Sequence, residues 1–203
     1  MSLEALEKQV QLQEDIQEIE HLQRIYGYYF DNSMYIEVID LFSENTDSVE
    51  VSGHGVFRGK EGAKHMYNAM IGTKRPGWVF FEVMQSQGVV DVAPDGKTAT
   101  GRWYTPSFEC RPFGGTLRQT WQFGVYDNEY IKENGKWYFK KLHWNLTFWP
   151  SFESGFLKVP RLSDDIPFVS ADAPATAYHP YPSGYQVPYP FKHPITGEST
   201  NIA

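Results

Sequence analysis

With 203 residues, 41% of them hydrophobic, 16% aromatic and 21% charged, the chain has apolar mass for one domain with a sizeable core plus an extension, and too little for two full domains. A net charge of −7, with no basic cluster longer than Lys140-Lys141, excludes binding to nucleic acid by phosphate neutralisation and weighs equally against an anionic membrane surface. The single cysteine, Cys110, excludes an internal disulfide and any cysteine-built metal cluster; on an apolar strand it reads as a small buried hydrophobe.

The opening "MSLEALEKQVQLQEDIQEIEHLQ" is polar and helical in pattern, so it reads as neither a secretory signal nor a transit peptide, and a cytoplasmic location is expected. Leu12, Ile16, Ile19, Leu22, Tyr26, Tyr29 and Phe30 recur at intervals of three and four, which predicts an amphipathic helix over residues 3–31 with Tyr26 facing the core. Asn32 or Ser33 is expected to cap a second, shorter helix through "MYIEVIDLF", leaving Asp31 at the joint, directly behind four aromatic residues. Residues 48–57 alternate like one strand around a glycine-flanked His54, and 59–71 read as a third helix weakened by Gly62.

Four strand-like runs follow, 78–92, 97–110, 116–132 and 136–149. They are joined by Pro94-Asp95-Gly96, Gly114-Gly115 and Asn134-Gly135, which supply the positive φ angles of tight turns. Three helices followed by an antiparallel meander predict an α+β fold, a curled sheet closed on one side by helices with a pocket inside. From Pro150 onward the pattern dissolves into prolines interleaved with Phe152, Phe156, Phe168, Tyr178, Tyr181, Tyr185, Tyr189 and Phe191. Disordered segments are poor in aromatics, so this stretch is expected to be an extended arm docked on its own barrel or on a neighbouring subunit. The organisation predicted is a domain over 1–149 and an arm over 150–203.

Among candidate catalytic groups, Asp31 stands first, because rings that withdraw a carboxylate from water raise its proton affinity toward the range useful to a general base. Tyr26 lies on the inward stripe, where its hydroxyl can meet a substrate or merely complete the core. The six histidines form no H-x-H or H-E-x-x-H pair, so no metal is expected. His54 and His143 are the candidate second acid or base.

The stretches "YYFDNSMYIEVIDLFSEN", "VFRGKEGAKHMYNAM", "DGKTATGRWY" and "VYDNEYIKENGKWYFKKLHW", in this order, resemble the nuclear transport factor 2-like superfamily. Within it the chain looks most like the branch of SnoaL-type polyketide cyclases, scytalone dehydratases and bile acid dehydratases. The resemblance covers residues 10–149 and implies a cone-shaped barrel performing proton-transfer chemistry without a cofactor on hydrophobic, aromatic molecules, in a homo-oligomer of two or three chains. It also implies that Tyr26 and Asp31 are the dehydratases' inward-reaching pair. Those enzymes use a His at the start of the strand after the third helix, whereas "WVFFEVMQSQGVV" has none.

Alignment with the dehydratases turns Ala99, Gly101, Trp103, Thr105, Ser107 and Glu109 inward, with Trp103 as a wall and Glu109 as a second ionisable group. Tyr126, Arg102 and Trp144 complete the substrate-contacting candidates. The "YDNEYIKENGKW" hairpin and the proline-rich extension carry a narrower resemblance to lignin-degrading lyases that release formaldehyde from diarylpropane diols. The expected function is therefore a cofactor-independent lyase, with an isomerase or cyclase and a non-catalytic binding module as the alternatives.

Overall fold

The computed structural model describes residues 2–70, 79–113, 116–160, 169–176 and 179–200, with the side chains of 111–113 excepted. Ile71, Trp78, the Gly114-Gly115 turn, Phe168 and Tyr178 lie outside the described residues.

Helix α1 (Leu3–Asp31) starts at Ser2, whose hydroxyl accepts the Ala5 amide. Its first half stands clear of the rest of the chain, and Leu12, expected on the core stripe, is 41% exposed. Burial begins at Asp15, which takes a hydrogen bond from Lys132 Nζ at 2.6 Å and one from Trp137 Nε1 at 3.0 Å. Gln11 Nε2 donates to the same oxygen at 3.3 Å, and a carboxylate this deep holds its place only while its donors remain. Ile19, Leu22 and Tyr26 continue the buried face. At ~1.5–3 kcal/mol for each large apolar side chain withdrawn from water, this half of the helix is fixed by tertiary packing.

Neither candidate cap opens α2 (Tyr35–Asp40). Met34 occupies that position without a side-chain bond, and Asn32 instead donates back to the Tyr28 carbonyl at 2.8 Å, closing α1. The reversal between the helices takes place at Ser33, with φ of 60°. The 48–57 run is two strands rather than one. β1 (Ser48–Val51) and β2 (Gly55–Arg58) pair antiparallel, with Gly53 and Gly55 at φ of 83° and 115° permitting the turn that carries His54. Helix α3 (Gly59–Asn68) then packs on β2. Gly62 is what lets it approach, since a Cβ there would lie 2.5 Å from the carbonyl carbon of Phe57.

The run expected over 78–92 divides into β3 (Phe80–Val83) and β4 (Ser86–Val92), and that over 97–110 into β5 (Thr98–Tyr104) and β6 (Ser107–Phe113). Pro106 explains the second break, because it cannot donate to the ladder. Strand β7 (Thr116–Glu133) pairs with β6 along its first half and with β5 along its second; β8 (Lys136–Phe148) pairs with β7 and, in parallel, with β1. The irregularities at Met84-Gln85, Thr105-Pro106 and Phe123-Gly124 form a line across neighbouring strands, where the sheet, ordered β2-β1-β8-β7-β5-β4 with β6 and β3 continuing from β7, curls. The fold is α+β, a curled sheet with its helices packed on the concave side.

Beyond β8 the described residues run over the outside of the sheet and include a short helix, α4 (Gly155–Lys158). Ser151 bridges to Thr120 and Ala173 to Val56, and the Tyr181 amide donates to the Thr147 carbonyl at 2.8 Å. Cys110 is half-buried rather than fully enclosed. No helix among the described residues is long and apolar enough to cross a membrane.

Candidate active site

Asp31 is the last residue of α1, where the helix dipole disfavours a negative charge. What holds it is the neighbouring sheet edge: the Val83 amide donates to Asp31 Oδ1 at 2.9 Å. Among the described residues β3 pairs only with β6, so the carboxylate supplies an acceptor on its other side. Asp31 itself is half-buried. Beside it the Phe30 ring sits 5.3 Å from Phe81, 5.9 Å from Tyr26 and 6.4 Å from Tyr67, centroid to centroid. The Val83 amide thus fixes one carboxylate oxygen at the margin of an aromatic cluster.

Within that cluster three phenols meet. The Tyr26 hydroxyl lies 3.2 Å from that of Tyr67 on α3 and 3.3 Å from that of Tyr126 on β7, and the three residues are 2%, 0% and 4% exposed. Burial drives the proton affinity of all three upward. The Tyr67 hydroxyl raises Tyr26 further, the Tyr26 hydroxyl raises Tyr126, and the charge of Asp31 adds to both. These hydroxyls keep their protons across the neutral pH range, so they can act as hydrogen-bond donors and are poor bases.

Trp103, Tyr126 and Trp144 share one face, as the facing pairs Trp103 with Tyr126 and Tyr126 with Trp144 require. Trp103 lies flat over Gly88 and Gly101, where a Cβ would come within 2.3 and 2.4 Å of its ring, and beside Tyr130. Trp144 lies over Gly124 and donates to Thr105 Oγ1 at 2.8 Å. Glu109 is on this inner face as well, buried, with Oε2 accepting from Thr120 at 2.9 Å and Trp149 at 3.1 Å. Ala99, Gly101, Thr105 and Ser107 are buried alongside it.

Arg102 and His143 are not on this face. Arg102 turns outward, pairs with Asp127 at 2.8 Å and donates to the Pro188 carbonyl of the arm at 2.7 Å, so it holds the arm in place of a substrate. His143 is outward because β8 bulges at Lys140. Glu129 faces Lys141 while Tyr130 faces Phe139, and the inward series therefore runs Trp137, Phe139, Leu142, Trp144, Leu146. His143 Nε2 is 3.4 Å from Glu50 Oε1, and both Glu50 oxygens accept from Thr176 of the arm. Burial lowers the proton affinity of His143, opposed in part by Glu50. This histidine lies beneath the arm, on the far side of the sheet from Asp31. His54 lies half-buried in the β1-β2 turn.

Sequence reasoning missed Tyr67. Its signal was present, since it falls four residues after Ala63 on the buried face of α3, but a tyrosine on an apolar stripe is ordinary core material. An open groove of about 420 Å³ lies elsewhere, lined by Asp91, Thr98, Thr100, Glu129, Tyr130 and Lys140, and none of the nominated residues lines it. Among the described residues no three His, Cys, Asp or Glu side chains converge as metal ligands.

The curled sheet with its helical cover is a nuclear transport factor 2-like fold. The family model of the SnoaL-like domain matches residues 11–143, and the chain belongs to that family. Among solved structures it is similar to a candidate scytalone dehydratase from Novosphingobium aromaticivorans, at 16% identity and a TM-score of 0.61, covering 82% of this chain and 99% of that one. It is also similar to an NTF2-like protein with a cystatin-like fold from the same organism, at 20% identity, a TM-score of 0.56 and coverage of 71% and 90%. A type 2 hexachlorocyclohexane dehydrochlorinase, LinA, matches at 17% identity, a TM-score of 0.54 and coverage of 71% and 90%. No curated protein sequence matches the chain.

Proposed function

We propose that the protein is a cofactor-independent lyase acting on a bulky hydroxylated aromatic compound, with Asp31 as the base and the phenols of Tyr26 and Tyr126 as donors. The observation that carries this reading is the Asp31 carboxylate, fixed by the Val83 amide at 2.9 Å beside a buried cluster of protonated phenols. A base and donors of fixed orientation are what bond cleavage next to an acidic proton needs, and general acid-base terms contribute ~10²–10⁴-fold each. Two of the similar structures bear the names of eliminating enzymes, a dehydratase and a dehydrochlorinase, which supports the class of chemistry.

In dehydration Asp31 takes a proton from carbon, and the electron pair left behind expels hydroxide from the neighbouring carbon. In formaldehyde release it takes the proton of a terminal hydroxyl; that electron pair becomes the second C–O bond of formaldehyde, and the pair of the broken C–C bond remains on the other carbon. Both require an electron sink in the substrate. Residues 1–149 would carry this chemistry, and residues 150–203 would brace the sheet from outside. A panel of lignin-derived diarylpropane diols and polyketide alcohols, followed by mass spectrometry, tests the proposal. Loss of water or of formaldehyde is expected, and a product of unchanged mass would make the enzyme an isomerase or cyclase.

A further inference from the structure

The Val83 amide holds Asp31, and a run of side-chain amides holds Val83. Gln23, Gly27 and Asp31 are spaced four apart on α1 and so line one face of it. Along that face lies the link between β3 and β4. Gln23 Nε2 donates to Gln85 Oε1 at 2.6 Å, and Gln85 Nε2 donates to the Val83 carbonyl at 2.9 Å. Gln85 rests on Gly27, where a Cβ would come within 2.8 Å of its Cγ. The run reaches back into the sheet, since Asn128 Nδ2 donates to Gln23 Oε1 at 3.0 Å and Asn128 Oδ1 accepts the His143 backbone amide at 3.0 Å. Gln23 and Asn128 are 0% and 1% exposed.

Backbone groups at the two ends fix the direction of every amide between them. The His143 N–H can only donate, so the oxygen of Asn128 faces it and the nitrogen faces Gln23. The Tyr130 hydroxyl donates to the same Gln23 oxygen at 2.8 Å. Gln23 therefore turns its nitrogen to Gln85, and Gln85 turns its own to the Val83 carbonyl, which can only accept. No amide here can turn over without breaking its neighbour's bond, and a fully connected buried network of this kind is rigid. Apolar side chains of the same shape would fill this space at little cost in stability. They would leave the Val83 backbone unfixed on its carbonyl side, directly behind the candidate base.

We propose that Gln85, braced by Gln23 and Asn128, is the positioning residue for Asp31, locking Val83 through its carbonyl so that the Val83 amide stays aimed at Asp31 Oδ1. The inference rests on Asp31 being the base and adds the residue that sets the orientation of that base. An amide bonded to a carboxylate favours the charged form. A slack Val83 therefore leaves a carboxylate that holds a proton more tightly and spends less time aligned with substrate.

The test is a carboxyl-carbon NMR titration of protein made with isotope-labelled aspartate, the Asp31 signal being the one absent from Asp31→Asn. Gln85→Met keeps the length of the side chain and removes both of its hydrogen bonds. It should raise the Asp31 midpoint by about 0.5–1 pH unit. Tyr26 and Tyr126, the titratable groups that feel the Asp31 charge, are the same in both proteins, so the difference reports the lost brace. Gly27→Ala, which displaces Gln85 from the helix side, should shift the midpoint in the same direction, and it serves if Gln85→Met melts early by circular dichroism. Gly62→Ala, which disturbs packing elsewhere, should leave the midpoint within about 0.2 unit. On a panel compound that the unaltered protein consumes, Gln85→Met should lower kcat about tenfold, leave KM within about twofold, and move the acid limb of kcat/KM upward with the midpoint. An unmoved Asp31 midpoint in Gln85→Met, or an equal shift in Gly62→Ala, would overturn the inference. The two ideas fail separately. A shifted midpoint in Gln85→Met with turnover intact in Asp31→Asn removes the base and leaves the positioning, whereas lost turnover in Asp31→Asn with an unmoved midpoint in Gln85→Met does the reverse.

Discussion

Alkaline pH should unfold this protein steeply, and the phenol cluster sets the slope. Tyr26, Tyr67, Tyr126 and Tyr130 all have proton affinities raised by burial above the ordinary tyrosine value of 10.0. A group whose folded-state pKa is raised contributes stability that is complete below its unfolded-state value and is lost as pH rises above it, because the unfolded chain gives up the proton first. One pH unit above 10, each such phenol costs ~1.4 kcal/mol, so the four together cost about 6 kcal/mol, a large share of a typical domain's stability. Tyr67→Phe should remove about a quarter of that pH dependence while keeping the ring contacts. Urea unfolding at pH 9, 10 and 11, with phenolate absorbance followed in parallel, gives the answer. If these phenols ionised near pH 10 in the folded protein, with far-ultraviolet dichroism unchanged and the two proteins losing stability in parallel, the buried cluster would be refuted.

Other outcomes follow from individual contacts. Gly62→Ala should destabilise by ~1–3 kcal/mol in thermal melts although alanine is the better helix former, because its methyl would press on the Phe57 backbone. His143 prefers its neutral form in the folded state, so its contribution is present above its ordinary value of 6.5 and declines as pH falls. His143→Gln should therefore flatten the stability profile below pH 6.5 without changing turnover. Thr176→Val removes the hydroxyl that bonds both oxygens of buried Glu50, and should loosen the arm, read as faster limited proteolysis of 150–203 at a cost of ~1–2 kcal/mol.

Much of the architecture was legible because it rests on local rules. The period of α1 placed Tyr26 inward and Asp31 at a joint, and period-two alternation grouped Trp103 with Glu109 on one face, which the resemblance to the dehydratases turned inward and which is buried. What alternation cannot foresee is a bulge. One extra residue at Lys140 turned His143 outward, and a proline at 106 split one long strand into two at the line where the sheet bends. Arg102 was misplaced for a different reason: its partners, Asp127 and the carbonyls of Val187 and Pro188, are distant in sequence. The pairing of Tyr67 with Tyr26 likewise spans 41 positions, and no local pattern reports that two core phenols share a hydrogen bond.

The central claim is that the Asp31 carboxylate accepts the substrate's proton. Its most direct test is kcat/KM of Asp31→Asn against the unaltered protein, on whichever diarylpropane diol or polyketide alcohol the latter consumes, with thermal melts showing both folded. A loss of at least a hundredfold is the expected result, for a variant that changes one atom and keeps an acceptor oxygen for the Val83 amide. A rate within threefold of the original, or no compound of the panel consumed at all, would contradict the account.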